Sequence, residues 1–263
     1  MFQYAGFRGI AANRGFDWMI PPEDCPSTCN YSLFECFKMG SVKEENFGYG
    51  KGRTIDKGIF HFDEDLYNNC PDGVNINYYL QSEKYFKEIE DVIRKDFTFK
   101  DEIAGSCKEL IDSVGDAIFI HVRRGDYVAT PEYHPCQEVS YYAKALEKFD
   151  KDIPVLIFSD DLDWVRQQEL FQPDRFLLSE NHLKYPNSVR LGDGSVQQSL
   201  IPYWDLCLMS MCKGAIIANS SMSWWGAWLQ NNAGKVVAPK MWFGPAYSHY
   251  IMTDLLPDHW EKI

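Results

Sequence analysis

Apolar residues in the second half of the chain form short uninterrupted runs that alternate with helical patterns. The predicted strands are Ala117–Val122, Ile153–Ser159, Arg175–Ser179, Gly214–Ala218 and Lys235–Pro239. Apolar residues at helical spacing lie between and around them, in Tyr141–Phe149, Leu162–Leu170, Ser195–Lys213 and Ser223–Asn231. Pro202 is expected to break or kink the third of these helices. Continuous apolar strands separated by helices predict a parallel sheet covered on both faces, so this half is expected to be Rossmann-like.

The first half has a less regular pattern. Its predicted elements are a helix at Phe2–Arg14, strands at Phe16–Ile20 and Val74–Leu80, and a helix at Ser82–Phe97. Ser82 is placed to cap that last helix, with acidic residues early and basic residues late. Residues Glu23–Asp72 are rich in Gly, Lys, Asp and Asn and are assigned no element.

The change of pattern between the two halves predicts two domains. The boundary is placed before the first regular strand, which gives an N-terminal domain of residues 1–112 and a C-terminal domain of residues 113–263. An α/β domain usually leads with a central strand and a Gly-rich turn, whereas this chain opens on a helix. The first strand of the N-terminal domain is therefore expected to be missing from this sequence.

Composition narrows the class of protein. With 45% apolar and 24% charged residues over 263 positions, the chain is an ordinary globular protein. A formal net charge of −12 argues against nucleic-acid binding. This charge still allows a small buried site in which a few arginines bind one anion. No run is long enough to span a membrane, no secretory signal is present, and the cysteines are scattered as expected for free thiols. The expected location is the cytoplasm.

The segment His121–Val128, HVRRGDYV, is the most informative stretch of the sequence. It follows a predicted strand, and open α/β sheets bind ligands at the carboxyl ends of their strands. Two adjacent arginines at such a position favour an anion, and a guanidinium matches a pyrophosphate with two parallel hydrogen bonds. A structural ion pair of Arg123 or Arg124 with Asp126 explains the same residues without a ligand. Local chemistry leaves both interpretations open.

Two further strand ends carry polar side chains. In Ala218–Leu229, a cluster of Asn and Ser precedes a helix, where unpaired N–H groups form a second anion-ready site. Ordinary N-capping is the commoner role of these residue types, and the tryptophans that follow are expected to pack in the core. The carboxylates of Phe158–Asp161, FSDD, suit either a sugar hydroxyl or a helix cap. The histidines and cysteines show no metal-ligand spacing.

Together these segments resemble the α-1,2-fucosyltransferases of glycosyltransferase family 11. The resemblance rests on HVRRGDY, FSDD, DLCLMSMCK followed by AIIANSSMSWWGAWL, and NINYYLQSEKYF, and it runs in order over nearly the whole chain. MFQYA at the start is similar to the end of the family's opening GGLGNQMFQYA motif. Gly214 stands where relatives commonly have a histidine.

The resemblance implies a GT-B fold, in which two Rossmann-like domains face a cleft. The N-terminal domain would hold the acceptor and the C-terminal domain GDP-β-L-fucose. The implied reaction is an inverting, metal-independent transfer of fucose to O2 of a terminal galactose. GDP-fucose is then a co-substrate, a galactose-terminated glycan is the acceptor, and no cofactor is needed. Peripheral association with membrane glycan-assembly machinery at the inner face of the membrane is a further expectation.

The resemblance also assigns roles to individual residues. The residues expected to bind GDP-fucose are His121, Arg123, Arg124, Asp160, Asn219, Ser220, Ser221 and Ser223. Arg123 falls on the position that grips the pyrophosphate. Arg123 and Asp126 are the candidate catalytic residues, although an ion pair to an arginine would make Asp126 a structural partner more readily than a base. Two other classes stay open: a truncated, weakly active or non-catalytic remnant of the same fold that binds a sugar nucleotide or glycan, and a fucosyltransferase that makes another linkage.

Overall fold

The computed structural model of the chain describes residues 1–21, 33–39, 52–180, 186–190, 196–200, 202–231 and 234–263. Internal contacts divide these residues into two compact units. The first unit contains Met1–Lys100 and Ser248–His259, and the second contains Asp101–Tyr247 and Trp260–Ile263. The sequence places a boundary after residue 112, whereas this division assigns residues 101–112 to the second unit. None of the helices in the described ranges is both long and apolar enough to cross a membrane.

The first unit combines short helices with a small parallel sheet. Its described helices are α1 (Phe2–Arg14), α2 (Leu33–Cys36), α3 (Glu64–Asn69) and α4 (Glu90–Asp96). Its strands are β1 (Thr54–Lys57) and β2 (Asn75–Tyr78), which pair in parallel. The helix predicted at residues 2–14 and the strand predicted around residue 76 are confirmed. β1 and α3 lie in the stretch to which the sequence analysis assigned no element.

Two predictions for the first unit need correction. Phe16–Ile20 forms no strand, because the ring of Trp18 packs over the Arg8 guanidinium, 4.0 Å from its centre, and thereby onto α1. Ser82 does cap a helical segment, but 3₁₀ turns precede α4 in place of one continuous helix. Tyr85 and Phe86 are both completely buried, and adjacent residues of a regular helix do not share one face.

Helix α1 approaches the turn at Glu83–Tyr85 backbone to backbone. A Cβ atom added to Gly9 would lie 1.7 Å from the carbonyl oxygen of Tyr85. Only glycine allows this approach, because the obstructing atom belongs to the main chain and cannot rotate away. The packing of the first unit therefore depends on the missing side chain of Gly9.

Replacement of Gly9 by alanine is expected to destabilise the protein by about 3 kcal/mol, the upper part of the usual range for overpacking. The matched control is Gly105→Ala, since Gly105 lies within the helix Asp101–Val114 and has no atom within 4 Å of an added Cβ. That change should stabilise the protein by roughly 0.5–1 kcal/mol through helix propensity. Urea unfolding of both variants measures the difference, and equal stabilities would contradict the close approach.

The second unit is built around a larger parallel sheet. Its described helices are α5 (Asp101–Val114), α6 (Val139–Leu146), α7 (Leu162–Arg166), α8 (Pro202–Met211) and α9 (Ser221–Trp228). Its strands are β3 (Ile118–Val122), β4 (Val155–Ser159), β5 (Phe176–Leu178), β6 (Pro186–Arg190), β7 (Val196–Leu200), β8 (Ala215–Ile216), β9 (Val236–Ala238) and β10 (Glu261–Lys262).

Six of these strands form a parallel sheet in the order β10-β9-β8-β3-β4-β5. When the six strands of this sheet alone are numbered in chain order, the arrangement read from β5 is 3-2-1-4-5-6, which is that of a doubly wound dinucleotide-binding sheet. Every residue of β3 and β4 is buried, as expected for strands covered on both faces. All five predicted strands of this half are present, and the α/β class is confirmed.

One predicted helix of the second unit is wrong over its first part. The sequence predicts a helix from residue 195 to 213, but residues 196–200 form β7, which pairs antiparallel with β6. The helix α8 begins at Pro202. Proline suits the first position of a helix, because a backbone N–H at that position has no partner within the helix and its absence costs nothing. Trp225 and Trp228 are buried at 2% and 5% exposure, which confirms their predicted place in the core.

Candidate functional site

The strand order creates a switch point at the carboxyl end of β3. β3 pairs with β4 on one side and with β8 on the other, and the chain reverses its direction of travel across the sheet between them. Open α/β sheets bind ligands in the crevice at such a point. The arginine pair follows β3, and the Asn–Ser segment follows β8. The structure thus brings the two main sequence motifs to the same position on the sheet edge.

Arg123 is held between two carboxylates at this edge. One guanidinium nitrogen contacts Asp126, and another lies 2.7 Å from Oδ2 of Asp160. The guanidinium also lies over the ring of Tyr127, 5.1 Å from its centre. The side chain of Arg123 remains 32% exposed, and that of Asp126 is 68% exposed. The structural ion pair that the sequence left open is present, and the Arg123 side chain stays partly exposed beside it.

Arg124 joins the end of β3 to the end of β4. Its Nε lies 3.0 Å from Oδ2 of Asp161, and its guanidinium carbon lies 4.2 Å from the centre of the Trp164 ring. Its backbone N–H donates to Asp160 at 2.8 Å. Asp161 in turn accepts from the backbone N–H of Trp164 at 3.0 Å and caps α7. The predicted cap is confirmed for Asp161, whereas Asp160 serves the arginine pair.

Gly125 allows these two strand ends to meet. A Cβ atom at this position would lie 2.4 Å from Oδ2 of Asp160. The glycine between the arginine pair and Asp126 is therefore a packing requirement of the motif, because a larger residue would push away the carboxylate that holds Arg123.

His121 lies on β3 and is only 5% exposed. Burial, together with the positive charge of Arg123, lowers the pKa of His121 to about 3. The imidazole is therefore neutral at physiological pH, and the positive charge at this strand end comes from the arginines. Its Nδ1 atom is buried and has no hydrogen-bond partner within the described ranges.

Asn219 ties together the loops around the site. Its amide nitrogen donates to the carbonyl oxygens of Pro135 at 3.0 Å and Trp242 at 2.9 Å, and its amide oxygen accepts from Gln137 at 3.0 Å. The backbone oxygen of Asn219 accepts from the Tyr127 hydroxyl at 3.1 Å. The side chain is 1% exposed. Its polar atoms are thus engaged by residues that follow β3 and β9.

The serines of the same motif divide into two kinds. Ser223 is fully buried, and its hydroxyl lies 3.2 Å from the carbonyl oxygens of Ala218 and Ser220. Ser220 is the N-cap residue of α9 without a side-chain capping bond, and Ser221 is exposed at its first turn. Of the predicted donor-binding serines, Ser220 and Ser221 are those whose hydroxyls are not engaged by other described residues.

Sequence reasoning missed Tyr127 and Gln137. Tyr127 stacks on the imidazole of His134, with ring centres 4.8 Å apart and planes at 18°. Burial raises the pKa of Tyr127, which keeps the hydroxyl protonated and able to donate to Asn219. The sequence signal that could have identified Tyr127 as a site residue is its position inside the segment that contains the arginine pair. Gln137 had none, because its partner Asn219 is 82 residues away.

Comparison with known proteins places this site in a family. The family model for Glycosyl transferase family 11 matches residues 67–251, more than half of the chain. In the part that the structure describes, no group of three His, Cys, Asp or Glu residues is arranged to hold a metal ion.

Three curated relatives each match about two thirds of the chain. The chain is 31% identical over 194 residues to the O-antigen biosynthesis glycosyltransferase WbnK of Escherichia coli, which covers 67% of this chain and 59% of that protein. It is 33% identical over 195 residues to an alpha-1,2-colitosyltransferase of Escherichia coli, with 70% and 61% covered. A galactoside 2-alpha-L-fucosyltransferase of Caenorhabditis elegans is 26% identical over 195 residues, with 70% and 51% covered. The matches thus span half to three fifths of each relative. With its arginine and serine motifs inside the matched residues, the chain belongs to glycosyl transferase family 11.

Proposed function

We propose that this chain transfers L-fucose from GDP-β-L-fucose to O2 of a terminal galactose on a glycan, with inversion at C1. The observation that carries the proposal is the partly exposed side chain of Arg123 at the switch point of the sheet, held by Asp160 and Asp126. Membership of glycosyl transferase family 11 supports the reaction class. The name of the Caenorhabditis elegans relative supports fucose and galactose as substrates.

The donor is assigned to the second unit. A pyrophosphate at the carboxyl end of β3 would meet the guanidinium of Arg123 and the hydroxyls of Ser220 and Ser221 at the start of α9. Helix starts favour anions, because their first N–H groups have no partner within the helix. The acceptor is assigned to the first unit, as in the GT-B fold that the family resemblance implies.

Arg123 would act mainly on the departing GDP. When O2 of galactose forms a bond to C1 of fucose, O2 gives up its proton to water, the bond from C1 to the pyrophosphate oxygen breaks, and negative charge grows on GDP. Charge-assisted hydrogen bonds from a guanidinium strengthen as that charge develops, so they stabilise the transition state more than the bound substrate. In this proposal the arginines and the start of α9 neutralise the leaving group.

Transfer is therefore expected to be independent of divalent metal ions. The assay is fucose transfer to a β-galactoside with and without an excess of EDTA. The proposal predicts equal rates, because Arg123 and the N–H groups at the start of α9 would meet the growing charge of the leaving group without a metal ion. Loss of most of the activity in EDTA and its return with Mg²⁺ or Mn²⁺ would contradict this part of the proposal.

The transfer itself is tested with GDP-fucose and a panel of galactosides, followed by linkage analysis of the product. Formation of an α-1,2 linkage supports the proposal, and another linkage replaces it with a different fucosyltransferase. Binding of GDP-fucose without any transfer would instead support a non-catalytic sugar-nucleotide-binding protein.

A second donor deserves the same assay. The 33% identical relative is named an alpha-1,2-colitosyltransferase, and colitose is L-fucose without its 3-hydroxyl. A site that binds the 3-hydroxyl discriminates strongly against the sugar that lacks it, because the protein groups are left unpaired. The ratio of kcat/KM for GDP-fucose and GDP-colitose decides between the two donors.

A further inference from the structure

The carboxyl end of the small sheet in the first unit carries a stacked pair of aromatic rings. β1 and β2 are parallel, with Lys57 opposite Tyr78, so both strands end at the same edge. Phe60 follows β1 and Tyr79 follows β2. Their ring centres are 4.3 Å apart and their planes differ by 10°. Phe60 is 5% exposed, whereas Tyr79 is 47% exposed, so the pair presents the outer tyrosine to solvent.

The pair is supported from behind. Tyr250 meets Phe60 edge to face, with ring centres 4.9 Å apart and planes at 86°, and His249 lies against Tyr250 with ring centres 4.1 Å apart. Edge-to-face and offset-stacked contacts are the favourable geometries for aromatic rings. The orientation of Phe60, and with it the plane on which Tyr79 rests, is therefore fixed by packing.

The backbone beside Tyr79 is strained. Leu80 has a φ of 51°, the one positive φ of a non-glycine residue in the described part of the chain. A left-handed conformation costs about 1–2 kcal/mol for a residue with a Cβ atom. Leu80 is 2% exposed, and its Cβ lies 2.8 Å from the position that a Cβ on Gly6 of α1 would occupy. Packing thus retains the strain, which is a feature that clusters at ligand sites.

Exposed hydrogen-bonding side chains lie on the two strands that lead to Phe60 and Tyr79. Alternate residues of a strand point to one face, and the exposed residues Asn77 and Tyr79 follow this spacing. The amide of Asn77 donates to Asp56 of β1 at 2.9 Å, and both residues are exposed. An open aromatic face next to an amide and a carboxylate is the chemistry that binds a neutral sugar, whose C–H face stacks while its hydroxyls form hydrogen bonds.

We propose that Tyr79, stacked on Phe60, is the platform on which the first unit binds the terminal galactose of a neutral acceptor glycan. Galactose suits such a platform because its hydrogens on C3, C4 and C5 lie on one face. Asp56 and Asn77 would bind hydroxyls at the rim. The acidic Asp56 disfavours a phosphorylated ligand here, and the polar rim disfavours a lipid. The choice of galactose rests on the proposed function.

The test uses lactose as the probe on the full chain and measures its binding by calorimetry and saturation-transfer NMR. Tyr79→Ala is expected to weaken lactose binding about tenfold, the size of one aromatic contact, while Tyr79→Phe keeps the ring and stays near wild type. GDP binding should be unchanged in both variants. The control is Val92→Ala, an exposed apolar residue on α4 in the same unit, which should change neither affinity.

Three results would overturn the platform: wild-type chain that binds no lactose, lactose affinity unchanged in Tyr79→Ala, or equal losses of lactose and GDP affinity. The last result would indicate a general structural effect, which melting temperature would reveal. Failure of the proposed function looks different. If lactose binding depends on Tyr79 but no fucose is transferred from GDP-fucose, the reaction assigned to the chain is wrong and the platform stands.

Discussion

Replacement of Arg123 by alanine is expected to lower fucose transfer about 10²–10³-fold, or ~3–4 kcal/mol, the usual loss for a donor that stabilises a developing negative charge. The fold should survive this change. Asp126 is 68% exposed, so it is solvated without its partner, and Asp160 keeps the backbone N–H of Arg124 at 2.8 Å. Transfer assays, GDP calorimetry and a thermal melt measure the three effects separately.

Two further arginine variants sharpen this experiment. Arg123→Lys keeps the charge but loses the two-pronged geometry, so it should recover only a small part of the activity. Arg166→Ala is the matched control, because Arg166 also contacts two carboxylates, Asp163 and Glu180, and is 45% exposed. It should transfer fucose normally. Near-normal GDP binding by Arg123→Ala together with a lowered melting temperature would remove Arg123 from the site and leave it a structural role.

Replacement of Asn219 by alanine is expected to destabilise the protein by about 2–4 kcal/mol, because the carbonyl groups of Pro135 and Trp242 and the amide of Gln137 each lose a hydrogen bond to the buried Asn219 side chain. Transfer should fall as well, since these bonds fix the loops beside Arg123. Urea unfolding gives the loss of stability, and the activity is measured at a temperature where the variant remains folded.

Ser221→Ala is the control from the same motif. Ser221 is exposed, so the change should alter stability by less than about 0.5 kcal/mol while it weakens the binding of GDP-fucose. The donor-binding role that the sequence predicts for Asn219 makes the opposite prediction. Unchanged stability in Asn219→Ala, combined with a selective loss of GDP affinity, would place its amide against the ligand.

The central strands could be predicted because a run of consecutive apolar residues is enough to indicate a strand that is buried on both faces. β3 and β4 are uninterrupted apolar runs, and both are buried along their whole length. The antiparallel strand β7 could not, because VQQSL lacks that pattern and its state depends on pairing with β6. Likewise, the apolar residues around Trp18 suggest a strand, but Trp18 packs on Arg8 of α1, and the local sequence does not reveal this contact.

The site was predictable in position and less so in detail. The arginine and serine motifs each follow a strand, and strand ends of one parallel sheet meet at one edge. Which polar groups face a ligand is a separate question. Asn219 and Ser221 are both polar residues of one motif, yet the Asn219 amide donates its hydrogen bonds to the carbonyl oxygens of Pro135 and Trp242. That outcome depends on contacts across long stretches of chain.

The paired carboxylates around Arg123 give the free protein a resident counter-ion. Among the described groups at this strand end, Arg123 and Arg124 contact Asp126, Asp160 and Asp161, so the local balance is two positive charges against three negative ones. A pyrophosphate arriving here exchanges one anion for another, and the exposed Asp126 is the one that can swing away into water. The binding free energy of the nucleotide then reflects the difference between the energy of the Arg123–pyrophosphate pair and that of the Arg123–Asp126 pair. Because dissolved salt screens both pairs, that difference varies less with ionic strength than contact with a bare arginine would.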